Sequence, residues 1–153
     1  GRYFPDGVVY VQTYNPGAES ILYACQNKTN EFYSSEIMQR KMLDFPPFSR
    51  FVRLVFRCPV LEDARQTAKN AKEILENKLA EYKKKYPEQS DDVEIMGESE
   101  CPLGKVSANY RYQIMLKSKN IGILQKLAGH LLYDFSKPQN VYIEVDIDPV
   151  NLL

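Results

Sequence analysis

Few residues in this chain are equipped for chemistry, and most of those are charged rather than nucleophilic or metal-ligating. His130 is the single histidine. It sits among leucines, with no Ser, Cys or carboxylate placed near it by pattern, and it reads as a surface or packed histidine rather than a general base. Cys25, Cys58 and Cys101 are far apart and show no Cys-x-x-Cys or Cys/His spacing, so no metal centre is expected. Asp146 and Asp148 stand two apart in Ile-Asp-Ile-Asp-Pro, which a strand would place on one face as paired carboxylates. Pro149 follows at once, and a structural role with arginine partners is the preferred reading. No glycine-rich phosphate loop is present.

What remains is a set of cations. Arg50, Arg53 and Arg57 lie along Arg-Phe-Val-Arg-Leu-Val-Phe-Arg, and Arg111 and Lys117 along Asn-Tyr-Arg-Tyr-Gln-Ile-Met-Leu-Lys. Lys105 stands in Gly-Glu-Ser-Glu-Cys-Pro-Leu-Gly-Lys-Val-Ser. A basic sheet with interleaved aromatics suits single-stranded nucleic acid, because cations track phosphates and rings stack on bases. The alternative is cross-strand pairing of Arg53 and Arg57 with Glu144 and Asp146, which stabilises a sheet by a few tenths of a kcal/mol per pair. Lys83, Lys84 and Lys85 end a helix, where the helix dipole already explains them.

The chain has 153 residues, with 20 basic and 20 acidic side chains. Balanced charge argues against nucleic-acid binding by overall charge and leaves a local patch open. Three cysteines without a signal peptide fit a reducing cytosol, so a cytoplasmic location is expected. No apolar run reaches ~18 residues, so no membrane span is expected. The opening Gly-Arg-Tyr-Phe carries no initiator Met and reads as the start of a fragment.

The elements that would position the cations follow from periodicity. Gly7 to Thr13 is a β-branched run and predicts a short strand, ended by Asn15-Pro16-Gly17. Ala18 to Cys25 predicts a short helix. A second helix runs from a Thr29 or Asn30 cap to about Leu43. Pro46-Pro47 stops it, since each ring fixes φ and removes a donor. Alternation then begins, with Val52, Leu54 and Phe56 on one face and Phe51, Arg53, Val55 and Arg57 on the other. Leu61 to Tyr86 is a long helix with Ala64, Ala68, Ala71, Leu75, Leu79 and Tyr82 on its apolar stripe. Pro87 to Asp92 reads as a loop, Val93 to Met96 as a short strand, and Gly97 to Ser107 as an ordered loop with a bend. Asn109 to Lys117 alternates as a strand. Asn120 caps a helix to about Phe135, and Val141 to Ile147 is the last strand.

From Pro47 onward the order is β-α-β-β-α-β, the split-βαβ, ferredoxin-like arrangement of an α+β domain. Two helices would cover one face of a four-stranded antiparallel sheet. The open face would carry Phe51, Arg53, Arg57, Arg111, Gln113, Met115 and Lys117, flanked by Tyr142, Glu144 and Asp146.

Four segments, in order, carry a family resemblance: Gly-Val-Val-Tyr-Val-Gln-Thr-Tyr-Asn-Pro, Asp-Phe-Pro-Pro-Phe-Ser-Arg-Phe-Val-Arg-Leu-Val-Phe, Gly-Glu-Ser-Glu-Cys-Pro-Leu-Gly-Lys-Val-Ser-Ala-Asn-Tyr-Arg-Tyr, and Val-Tyr-Ile-Glu-Val-Asp-Ile-Asp-Pro-Val. Together they resemble the C-terminal part of the bacterial primosomal replication-restart helicases, the PriA family, over nearly the whole chain. The resemblance implies the end of the second helicase lobe over residues 1–43 and a C-terminal domain similar to a small-subunit ribosomal protein over 44–153. The parent would be an ATP-dependent 3′–5′ DNA helicase using ATP, magnesium and zinc, with none of these held by this piece. Gly1-Arg2 is similar to the end of the last helicase motif, which would make Arg2 an ATP-phosphate-sensing arginine of the parent. The resemblance also implies contact with forked or single-stranded DNA, the upstream helicase lobes and the tail of the single-stranded-DNA-binding protein. Gln125 matches one partner-binding position, while Ile121 stands where some members have Arg. The DNA candidates are Lys105 first, then Arg111 and Lys117, then Arg50, and Arg53 last because Glu144 or Asp146 is expected to occupy it. The alternatives are a ribosomal-type RNA-binding module and a domain that braces the helicase lobes.

Overall fold

The computed structural model describes residues 7–150. The chain divides into two compact units, Gly1–Met42 and Leu43–Leu153. In the first, helix α1 (Glu19–Cys25) and helix α2 (Thr29–Met42) bury no residue completely. Glu19 joins them by accepting from Ser35 Oγ at 2.9 Å and Gln39 Nε2 at 3.3 Å. The strand expected over Gly7–Thr13 is not formed, and Val8, Val9, Tyr10 and Val11 are exposed. β-branched residues favour extended backbone, but a strand exists through ladder hydrogen bonds to a neighbour, and none of the described residues in this unit supplies one.

The second unit is an α+β domain. Strand β1 (Arg50–Cys58) leads to helix α3 (Leu61–Lys85) and the single-turn helix α4 (Pro87–Ser90). Strands β2 (Glu94–Val106) and β3 (Asn109–Ser118), helix α5 (Ile121–Tyr133) and strand β4 (Tyr142–Ile147) follow. The sheet order is β2-β3-β1-β4, and every neighbouring pair is antiparallel. Alternation sends Val52, Leu54 and Phe56 of β1 and Ile114 and Leu116 of β3 into one core with Ala64, Ala68, Ala71 and Leu75 of α3 and Leu124, Leu127 and Leu131 of α5. The alanines of α3 leave room for the large strand side chains, and burial of each Leu, Ile or Phe contributes roughly 1.5–3 kcal/mol. Asn120 caps α5, its Oδ1 accepting from the Gly122 amide at 3.0 Å.

The region expected as a short strand and then a loop is one long strand, β2. It lies at a sheet edge, so only one side of its backbone must pair, and Pro102 is tolerated there without its donor. Register shifts between Met96 and Ser99 and between Glu100 and Lys105 absorb the surplus residues. Ser107 and Ala108 form a two-residue turn into β3, both at positive φ (47° and 64°). This is the backbone hand that fits hairpin twist, adopted here without Gly.

The face away from the core is only half open. Phe45 stacks edge-on against Phe51, with ring centroids 5.5 Å apart. Lys117 Nζ lies 3.5 Å from Glu94 Oε2 and 3.9 Å from Asp44 Oδ2. Phe51, Arg53, Val55, Met115 and Lys117 are all buried, although alternation alone assigns them to the open side.

Candidate nucleic-acid interface

The open half of this face is built at the far end of β1. Arg57 stands opposite Arg111 of β3 and opposite Tyr142 of β4, so the three side chains form a row on one face. The guanidinium of Arg57 lies over the Tyr142 ring, 4.7 Å from its centroid, and pairs with Glu144. Lys137 Nζ stands 5.9 Å from the same ring, and Tyr142 is 54% exposed. Among the described residues the Arg111 side chain has no hydrogen bond or ion pair. Like charges directly opposite on neighbouring strands destabilise a sheet. Glu144 relieves Arg57, and Arg111 is left half-exposed with its charge uncompensated.

The other expected cations have different surroundings. Lys105 is not in a loop; it pairs with Tyr110 across β2 and β3, its Nζ 4.4 Å from the ring centroid and 3.3 Å from the hydroxyl oxygen, to which it donates. Because Lys105 shares a face with Tyr110, it lies on the side opposite Arg111, and the two do not converge. Arg50 donates to Asp148 through Nε at 2.7 Å and through Nη2. This hydrogen bond holds the Asp148 carboxyl below its usual range and raises the Arg50 guanidinium. Arg53 is buried, and its Nε donates to Gln113 Oε1 at 2.8 Å. Asp146 stands directly opposite Arg53 in the register, and Glu144, opposite Val55, pairs with Arg57. Lys117 is buried between two carboxylates.

Gln125 is exposed on α5, one turn beyond the half-buried Ile121. Arg2 lies outside the described residues. His130 has the carboxylate neighbour that its pattern did not suggest. Its Nδ1 is 2.7 Å from Asp134 Oδ2, one helical turn on, and its Nε2 is 2.9 Å from the Tyr82 hydroxyl. The i, i+4 spacing of His130 and Asp134 was the available signal. Both ring nitrogens are occupied, which suits a helix-packing role. Asp148 takes the arginine partner expected of it. Among the described residues no three or more His, Cys, Asp or Glu come together as a metal site, and Cys25, Cys58 and Cys101 are all unpaired thiols. No helix among them is long and apolar enough to cross a membrane.

A small α+β domain with this element order, carrying a cation row on one sheet face, defines the class. Residues 41–150 match the family described as the primosomal protein N C-terminal domain. The chain belongs to that family, as a C-terminal region of the PriA type. It is 35% identical over 153 residues to replication restart protein PriA of Treponema pallidum, covering 100% of this chain and 22% of that protein. The match to replication restart protein PriA of Borreliella burgdorferi is 34% over 156 residues, with coverages of 99% and 22%. For the protein of the same name in Chlamydia muridarum it is 29% over 150 residues, with coverages of 98% and 19%. The chain thus spans about a fifth of the length of these relatives.

Proposed function

We propose that this region contributes the DNA-contacting C-terminal domain of a cytoplasmic, ATP-dependent replication-restart helicase. The observation that carries the reading is the uncompensated Arg111 directly opposite Arg57, an arrangement that costs sheet stability and favours an anionic ligand. Phosphate contacts fix a protein on nucleic acid without reading its sequence, which suits a domain acting at forks of any sequence. Arg111 is the leading contact and Lys105 a second one from the opposite face. Arg50 is secondary because of Asp148, and Arg53 and Lys117 serve the fold. The strand order supports a ferredoxin-like topology for residues 44–153. Residues 1–43, with their exposed Val8, Val9 and Val11, fit the end of a second helicase lobe whose neighbours lie elsewhere in a longer protein. ATP, magnesium and zinc, and the role expected of Arg2, would belong to that larger assembly. Gln125 is the residue offered to the single-stranded-DNA-binding protein.

The test is binding of the full chain to a labelled forked DNA and to an RNA fork of the same shape, with ATP turnover measured alongside. Forked-DNA binding that weakens steeply with salt, without turnover, is expected. Binding to the RNA alone favours the ribosomal-type module, and binding to neither favours a brace.

A further inference from the structure

We infer that Tyr142 is a base-stacking platform, so that the Arg57 end of the sheet takes a single strand of DNA in preference to a duplex. The inference rests on the DNA-binding reading above and specifies the chemistry of that site. Cations alone are satisfied by either form, since both present phosphates. An exposed aromatic ring in the same row is satisfied only by a base whose face is free.

The geometry favours this ligand in three ways. First, Tyr142 is 54% exposed on β4, an edge strand, so its ring can be reached from beside the sheet. Second, the row Arg111–Arg57–Tyr142 spans three adjacent strands, so the uncompensated charge and the ring lie two strand spacings apart, roughly 10 Å. A nucleotide strand laid across the sheet can therefore put phosphate on Arg111 and a base beside Tyr142. Third, Arg57 and Lys137 both lie over the ring, 4.7 and 5.9 Å from its centroid, which places two cations beside any base that reaches it. A planar guanidinium stacked on an aromatic ring extends the surface available to a base. Glu144 holds Arg57 in that pose, which leaves Arg111 as the main phosphate contact and Tyr142 as the base contact.

The experiment measures the full chain binding a fluorescein-labelled oligothymidylate and a blunt duplex of equal length, at several salt concentrations. Tyr142→Leu keeps a strand-compatible apolar side chain but removes the stacking face, and Tyr142→Phe keeps the face. Stacking on one base corresponds to about 5- to 150-fold in affinity. Tyr142→Leu is expected to lose single-strand affinity in that range, with duplex affinity and salt slope unchanged and with the wild-type melting profile retained within a few degrees. Tyr142→Phe is expected to bind like wild type. Equal losses on single strand and duplex, or no loss in Tyr142→Leu, would overturn the platform while leaving the DNA reading intact. A wild-type chain that binds neither oligonucleotide overturns both.

Discussion

Asp148 and Phe51 are clipped together in both directions. The Phe51 amide donates to Asp148 Oδ1 at 3.1 Å, and the Asp148 amide donates to the Phe51 carbonyl at 2.8 Å. The same carboxylate takes the Arg50 guanidinium, so one residue past β4 fixes the start of β1. Hydrogen bonding to the charged form, from Arg50 first, keeps the Asp148 pKa low. A depressed carboxylate stabilises the fold above its unfolded pKa of about 4, and that stability is lost as pH falls through the folded value. Glu98 is depressed too, by its own backbone amide and by Lys72 at 3.2 Å, and adds in the same direction. Asp148→Asn tolerates the positive φ of 50° and removes the charge together with one of the two accepting oxygens. It should cost about 1 kcal/mol at neutral pH, and less below pH 4, in urea titrations at the two pH values.

The turn at Ser107 and Ala108 predicts an easy gain in stability. Two residues with side chains sit in the left-handed region, where an ordinary L-residue is disfavoured by about 1 kcal/mol. Ser107→Asn with Ala108→Gly installs the pair that this turn prefers. Thermal melts should shift upward by several degrees, the size expected of about 1 kcal/mol in a domain of this length. An unchanged or lowered melting temperature would contradict the turn geometry.

Lys117 separates burial from binding. It is 8% exposed and has carboxylates on two sides. If it serves the fold, Lys117→Met should leave DNA affinity within about twofold. Its effect on stability should be small, because the carboxylates it leaves behind, Asp44 and Glu94, are 43% and 59% exposed and stay solvated. A tenfold loss of DNA affinity with unchanged stability would return Lys117 to the interface.

Much of the second unit was legible because its periodicities are strong. Helix α3 declares itself by Ala64, Ala68, Ala71 and Leu75, and β1 and β3 by clean alternation. The misreadings have local causes. Gly97, Pro102 and Gly104 look like loop residues, yet an edge strand accommodates them through register shifts. Ser107-Ala108 carries no turn signal, which hid the hairpin and placed Lys105 in a loop. Val8 to Val11 has strand composition, but composition supplies no partner. Periodicity also assigns a face without saying what covers it, so Phe45 over Phe51 was invisible, and with it the burial around Lys117. The row of Arg111, Arg57 and Tyr142 required register, which alternation within single strands does not provide.

The most direct measurement is the salt dependence of forked-DNA binding by wild type and Arg111→Ala. Removing Arg111 also removes a like-charge neighbour of Arg57, so this variant should be as stable as wild type, or more stable by a few tenths of a kcal/mol. It should bind more weakly, with its log–log salt slope shallower by about 0.7–0.9, the value of one lost phosphate contact. Equal affinity and equal slope for the two proteins would contradict the account.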